Sequence, residues 1–463
     1  MIVGTLVAAI GAYWVGRGVV HEMAARTLAI FIIAAGFWAT EALPLFATAF
    51  VVIGLEILFL ASDGGLADIL TRVLIWFDLP VRQSPDVQLM SAGTFLRPFS
   101  QDIIILFMGG FLLSATITKH GIDQAIASTM LRPFTRSPLR LLYGVLGITA
   151  FFSMWMSNTA TAVMMIAIIG SLAHLVPAED RFRAGLVLAV AFGANVGGIG
   201  IPIGTPPNAI AFGALHAVGY PITFLTWVLV VVPLEMLMLA VVGGLLYAFF
   251  KPSSSLTLGV IETSGAMTAR GKTTLVILGV TVLLWLTSGL HGLSPGPTVL
   301  LAAAALTALG VLDHHDVDAI DWNILILMWG GLSLGVAMEQ SGLMGYVQQA
   351  NLTVMPGGTW AVAIVLVLFA VGLSTLMSNT ATAALLVPMA LAVSLPGKEQ
   401  FAMLVALACS FAMALPVSTP PNAMAYATGA VSVRVMLRTG SLISAIAVAL
   451  LLLGSRFMLP LIF

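Results

Sequence analysis

The chain has 463 residues, 60% of them hydrophobic and only 8% charged, with a net charge of −1 and a mean hydropathy of +1.09. Soluble domains carry about 25% charged residues, so the composition excludes a soluble protein and leaves a polytopic membrane protein. No basic run offers a nucleic-acid backbone a partner, and a single cysteine, Cys409, excludes an internal disulfide.

Residues 1–20 have no basic start and no clear cleavage site, and read as a first span rather than a signal peptide. Leu28 to Thr40 is apolar and stops at Glu41-Ala42-Leu43-Pro44, a corner between the second and third spans, because proline cannot continue a helix. Residues 62–100 are mixed and read as an extramembrane connection, so 1–100 is expected to hold N-terminal spans that are mainly scaffold. A fourth span from about Ile103 to Thr118 opens a first repeat over 101–250. Within it, Leu141 to Leu175 is broken at Ser157-Asn158-Thr159. Each arm falls short of the roughly 20 residues of a crossing, so a re-entrant hairpin over about 138–178, tipped by these residues, is expected. Lys119, Arg132, Arg136, Arg140, Arg181 and Arg183 flank it, the strongest basic cluster of the chain, which places that side and the N-terminus in the cytoplasm.

The next helix, about 184–217, is expected to break at Thr205-Pro206-Pro207, and residues 222–250 return to a basic loop with Lys251, Arg270 and Lys272. Residues 251–320 read as linker and scaffold spans, about 274–290 and 297–312, ending in Asp313 to Asp321, a solvated loop in which His314 and His315 offer at most a poorly supported metal site. Then the sequence repeats itself. Ile104-Ile105-Leu106-Phe107-Met108-Gly109-Gly110 resembles Leu325-Ile326-Leu327-Met328-Trp329-Gly330-Gly331, at 330 − 109 = 221. Ser157-Asn158-Thr159-Ala160-Thr161-Ala162 recurs from Ser378 to Ala383 at 378 − 157 = 221, and Thr205-Pro206-Pro207-Asn208 recurs as Thr419-Pro420-Pro421-Asn422 at 419 − 205 = 214. Three collinear matches are an internal duplication. The second repeat, 321–463, is expected to hold a hairpin at about 361–394, a broken helix at about 400–430 and a last span. Only Lys398 flanks its hairpin, which is therefore expected to enter from outside and to leave the C-terminus outside. The reading is an all-α polytopic membrane protein, an inverted repeat with about 11 spans, two re-entrant hairpins and two broken helices; this is an architecture of secondary transporters in the lipid bilayer.

Hydroxyls and amides at membrane depth are costly unless they bind something. A single Ser-Asn-Thr in a membrane helix serves as packing glue, and a single Pro-Pro as a kink; two copies of both, in order and at nearly fixed spacing, point to one site built twice. Freed carbonyls with serine and asparagine oxygens replace the hydration shell of a small cation, while half-helix N-termini suit an anion. Neither Ser-Asn-Thr patch holds an ionised side chain, so a dianion there needs co-bound cations and helix dipoles.

These segments, with the corner Thr40 to Leu45, resemble the divalent anion/sodium symporter family, whose members carry di- and tricarboxylates or sulfate; the likeness spans nearly the whole chain. It implies a homodimer in which a transport domain moves against a scaffold as an elevator, in the cell's inner (plasma) membrane. It implies one sodium (Na+) site from Ser153, Ser157, Asn158 and the Gly204 carbonyl, and another from Ser374, Ser378, Asn379 and the Ser418 carbonyl. Asn158, Thr159, Thr205, Asn379, Thr380, Thr419 and Pro420 would face the anion, a C4-dicarboxylate such as succinate. Ser374 stands where a threonine is common, and Ser418 where alanine can occur; both changes keep the implied ligand. A sulfate symporter, a sodium-independent exchanger, and a channel or receptor without coupled transport are the alternatives.

Gly331-Leu332-Ser333-Leu334-Gly335 matches a nucleophile-elbow pattern, but the elbow needs a preceding strand and this stretch reads as a helical span. All seven histidines precede Ser333, and no acid–base constellation is visible, so an enzyme is not expected. Glu56 and Glu339 lie inside or at the ends of spans; Glu56 reads as a proton relay or a scaffold contact.

Overall fold

Long runs of Leu, Val, Ile and Ala give helices throughout, because in hydrocarbon only a helix satisfies its backbone within one segment. The computed structural model describes residues 1–63, 89–172, 180–220, 222–252, 267–349, 358–393 and 398–458, with a few isolated positions between. Every regular element there is helical, beside one isolated bridge between Ala61 and Met90. Among the described residues, eight helices are long and apolar enough to cross a membrane.

The chain begins with α1 (Ile2–Val19), α2 (Glu22–Thr40) and α3 (Leu45–Leu60). Buried Glu22 fastens the first two, accepting from Tyr13 Oη at 2.6 Å, Arg26 Nε at 3.0 Å and Arg17 Nε at 3.1 Å. The corner between α2 and α3 lies where the proline places it. Glu41 turns the chain with φ 47°, and the Trp38 indole closes it on the Leu45 carbonyl at 3.1 Å. After α4 (Ala92–Leu96) come α5 (Asp102–Lys119) and α6 (Ile122–Leu131).

The Ser-Asn-Thr segment parts α7 (Pro138–Trp155) from α8 (Asn158–Leu172). The second copy parts α17 (Gly358–Leu376) from α18 (Asn379–Ala392). The arms differ from expectation. The entering arms have 18 and 19 residues, enough to cross by length alone, and only the returning arms, 15 and 14 residues, are short. The broken helices are α9 (Arg181–Gly197) with α10 (Pro206–Ala217), and α19 (Lys398–Cys409) with α20 (Pro420–Ala427). Here too the structure corrects the reading: the first break does not begin at Thr205 but at Gly198. A Cβ on Gly197 would lie 2.3 Å from the Ala150 backbone, so glycine lets α9 press on α7. The prolines stand in the first turn of the next helix, where a missing N–H costs nothing.

The remaining helices are α11 (Phe224–Phe249), α12 (Ala269–Leu286), α13 (Pro295–Ala308), α14 (His314–Asp318), α15 (Trp322–Gln340), α16 (Leu343–Gln349) and α21 (Val433–Met458). The duplicated Gly-Gly pairs explain how four of the helices meet. A Cβ on Gly109 of α5 would lie 2.2 Å from Val299 of α13, and one on Gly330 of α15 would lie 2.5 Å from Ala49 of α3. Small residues let helices approach where lipid gives no hydrophobic drive. Hairpins, broken helices, α11 and α21 pack among themselves, and they meet the other helices chiefly through α10 and α18 against α15.

Candidate functional site

The two hairpin tips and the two breaks surround one cavity of about 720 Å³. All seven residues expected to face the anion, Asn158, Thr159, Thr205, Asn379, Thr380, Thr419 and Pro420, line it. Ser157, Gly204, Ser378 and Ser418 reach the same wall, whereas Ser153 and Ser374 are fully buried and do not line it. Helices α8, α10, α18 and α20 all begin at this cavity, so four positive dipole ends converge on it.

Ser153 Oγ lies 2.7 Å from Asn158 Oδ1 and 2.7 Å from the Ala194 carbonyl. A hydroxyl has one hydrogen to donate, so three oxygens converge with a single proton among them. The second repeat builds the same cluster: Ser374 Oγ lies 2.6 Å from Asn379 Oδ1 and 2.9 Å from the Cys409 carbonyl. Oxygens gathered so closely with too few protons fit a small hard cation. Ala194 and Cys409 were not readable from the sequence, since a backbone carbonyl carries no residue signature. Ser157 accepts from the Ala160 N–H at 3.2 Å and Ser418 donates to the Thr375 carbonyl at 3.1 Å, so their hydroxyls also fasten the tips.

The asparagines of the Thr-Pro-Pro-Asn segments hold the breaks in shape, a role the motif alone did not reveal. Asn208 Nδ2 donates to the carbonyls of Gly198, Ile199 and Ile201 at 3.0, 3.2 and 2.9 Å. Asn422 Nδ2 donates to the Leu415 carbonyl at 3.0 Å. Asn195 Nδ2 joins the repeats, reaching Thr419 Oγ1 at 3.2 Å and Asn422 Oδ1 at 3.1 Å. Thr419 Oγ1 also accepts from the Asn422 N–H at 3.3 Å, which leaves its hydroxyl hydrogen to donate. Thr161 and Thr382, at 382 − 161 = 221, are buried with hydroxyls that have no partner.

The described cavity wall holds no Lys, Arg or His, but it does hold two carboxylates, Glu41 at the α2–α3 corner and Asp321 before α15. A dianion placed here would meet N–H groups, hydroxyls and amides, and its charge would have to be balanced by cations. Sequence reading saw Glu41 only as a corner.

The other signals resolve structurally. Ser333 sits within α15 and pairs with Glu56 of α3, which makes Glu56 a contact between these two helices. The stretch expected as a solvated loop at Asp313 is α14, capped by Asp313 and clamped by Lys119, whose Nζ lies 2.8 Å from Asp313 and 2.7 Å from Asp316. Lys119 holds the Asp313 carboxyl down at about 2. Among the described residues no group of three or more His, Cys, Asp or Glu side chains is placed to hold a metal.

Among known proteins, an uncharacterized transporter of Haemophilus influenzae is 32% identical over 384 residues, covering 78% of this chain and 82% of its own. The sodium-dependent dicarboxylate transporter SdcS of Staphylococcus saprophyticus is 26% identical, covering 94% of this chain and 86% of its own. Neisseria gonorrhoeae MtrF, described with a class of antimetabolite efflux pumps, shares the fold with a TM-score of 0.56 at 13% identity, over 92% of this chain and 97% of its own. The family described as the sodium:sulfate symporter transmembrane region matches residues 6–463. With that match running from near its first residue to its last, the chain belongs to this family of membrane transporters, and it is not an enzyme.

Proposed function

We propose that this chain is a secondary-active carrier that couples sodium influx to uptake of a small dicarboxylate, a C4-dicarboxylate such as succinate. The observation that carries the reading is the cavity itself: two proton-poor oxygen clusters stand behind a wall with hydroxyls, amides and no basic side chain. Sodium at the clusters offsets the charge of the anion, and because Asn158 and Asn379 serve both, each ligand raises the affinity of the other by the same factor. The dicarboxylate is favoured by the relatives named as sodium-dependent dicarboxylate transporters. Sulfate is the second reading, favoured by the family's description.

In this reading the hairpins, broken helices, α11 and α21 move as an elevator against the scaffold of a homodimer in the plasma membrane. The hairpins enter from opposite faces, with the N-terminus cytoplasmic and the C-terminus outside. Basic residues around the first hairpin and their scarcity around the second support this. Cysteines introduced as Arg136→Cys and Gly358→Cys should react with an impermeant thiol reagent from opposite sides; reaction from one side would refute the inversion.

The deciding experiment is uptake of labelled succinate and of labelled sulfate into proteoliposomes, with a sodium gradient and with choline in its place. Uphill succinate uptake only with sodium is the expected result. Uphill sulfate uptake alone selects the second reading, and exchange without sodium refutes coupling.

A further inference from the structure

A buried carboxylate beside the first break has no role in the site described so far. Glu235 of α11 is fully buried, and neither carboxylate oxygen has a hydrogen-bond partner. It is aimed at the break: a Cβ on Gly200 would lie 2.3 Å from Glu235 Oε2 and 2.9 Å from the methyl of Met154, the neighbour of Ser153. Two turns earlier on α11, the Trp227 indole donates to the Ile199 carbonyl at 3.0 Å, so this face of α11 backs the turn between α9 and α10 at Ile199 and Gly200.

The second break shows what simple backing looks like. There α21 supplies Ser444, whose hydroxyl donates to the Phe411 carbonyl at 2.6 Å and accepts from the Met413 N–H at 3.3 Å. At the first break Asn208 and Trp227 already take the carbonyls, and the carboxylate is left over. No neighbouring helix neutralises it. The charged groups of the helices packed on α11, namely Arg140 of α7, Arg181 and Arg183 of α9, Arg270 and Lys272 of α12 and the arginines of α21, lie in their terminal turns, save Arg438 in the second turn of α21, and none bonds to Glu235. The hydroxyl of Tyr143 on α7 is committed to the Ala240 carbonyl at 2.9 Å. A carboxylate with neither oxygen satisfied does not stay ionised in such a place without a counter-ion.

We propose that Glu235 is a further cation position of the carrier, taking one small monovalent cation, a proton or a sodium ion, against the turn at Gly200. The cation binds while the turn closes on the carboxylate and leaves when the turn moves. The inference deepens the coupled-transport reading and rests on it for the transport arm of the test only.

Purified wild-type protein is treated with a hydrophobic carbodiimide, which modifies protonated buried carboxyls, and labelling at Glu235 is read by peptide mass spectrometry. Glu56, buried but paired with Ser333, serves as the internal comparison. If the cation is a proton, labelling at Glu235 falls as pH rises and ignores sodium. If it is sodium, labelling falls as sodium replaces choline at fixed pH. In proteoliposomes Glu235→Gln should carry one positive charge fewer per anion than wild type, with loss of pH dependence in the first case and a lower sodium order in the second. Labelling at Glu235 that is absent, or indifferent to both pH and sodium, overturns the proposal, as does an unchanged charge per anion in the variant. If the variant does not assemble, the labelling of the wild-type protein decides. That arm needs no transported anion, so its failure leaves the transport reading standing, and absent uptake leaves the labelling result intact.

Discussion

The roles of Asn158 and Asn379 are tested by Asn158→Asp and Asn379→Asp, which change charge with almost no change of shape. Each Oδ1 is held by a serine hydroxyl, Ser153 at 2.7 Å and Ser374 at 2.6 Å. The amide nitrogen is the polar atom that the substitution converts to a charged oxygen. The cation cluster keeps its oxygens, so sodium affinity should be retained or raised. The anion meets a new negative charge on the wall of a shared cavity. Two unit charges about 4 Å apart repel by about 4 kcal/mol at an effective dielectric near 20. That is nearly a thousandfold in affinity, since each 1.4 kcal/mol is about tenfold.

The assay is initial uptake rate against anion concentration for each purified, reconstituted variant, at neutral and at acid pH. The half-saturating concentration should rise toward the thousandfold limit at neutral pH, with sodium activation retained. Protonation of the aspartate removes the repulsion, so uptake should recover in part as pH falls. A packing role predicts instead poor assembly with ordinary transport constants in whatever survives. Near-normal uptake at neutral pH in both variants refutes the placement of these asparagines at the anion.

Gly204→Ala would put a methyl group 2.4 Å from the Gly198 carbonyl oxygen, so the first break has to reshape and sodium affinity should fall at least tenfold; Gly147→Ala, with open space around it, is the neutral comparison, and sodium titration of uptake checks both. Asn208→Ala leaves the Gly198 carbonyl unpaired, while Ile199 keeps the Trp227 indole and Ile201 the Gly204 N–H, so it should cost about 1–3 kcal/mol and lower the melting temperature of the purified protein below that of Thr129→Ala, an exposed hydroxyl. The Lys119 clamp holds Asp313 below its ordinary 3.8, at about 2. A depressed carboxyl contributes stability that is present above the ordinary value and lost as pH falls through the lower one. Melting temperatures of wild type and of Asp313→Asn should therefore keep a constant difference from neutral pH down to about pH 5, and a difference that closes within that window contradicts the assignment.

What the sequence made legible is what stands out against an apolar background. Ser157 to Thr159, Ser378 to Thr380 and the two Pro-Pro pairs are visible because hydroxyls, amides and prolines interrupt helices that are otherwise uniform. The Gly109-Gly110 and Gly330-Gly331 pairs are visible for the same reason, and their shared offset announces the duplication before any contact is known. Less legible is everything the backbone supplies. Ala194 and Cys409 give their carbonyls to the clusters, and any residue type carries a carbonyl. The break between α9 and α10 begins just after a glycine whose need is tertiary, the pressure of Ala150 on Gly197, so the prolines misdirected the reading by seven residues of chain. Glu41 read only as part of a corner and Glu235 drew no reading at all, because hydropathy does not say which corner lines a cavity or which face of a helix meets which turn.

The structure also separates what is duplicated from what is not, and the difference bears on coupling. The two oxygen clusters match bond for bond, but the link between the repeats runs one way. Asn195 of α9 reaches Thr419 and Asn422 across the duplication. Its counterpart by offset, at 410 − 195 = 215, is Ser410, whose buried hydroxyl has no partner. Ala194, next to Asn195, gives the carbonyl of the first cluster. A cation that draws Ala194 inward would therefore pull on the residue that orients Thr419 on the cavity wall, while among the described residues Ser410 offers the Cys409 carbonyl of the second cluster no such route back to Thr205. The first cluster is thus joined to its own tip through Asn158 and to the second break through Asn195, and the second cluster to its own tip only. Asn195→Ala, which cuts that link and leaves every cluster oxygen in place, should weaken the dependence of anion affinity on sodium. It should change sodium binding without the anion much less. Anion titrations in sodium and in choline measure both, and an unchanged ratio between the two salts would show that the clusters reach the anion independently.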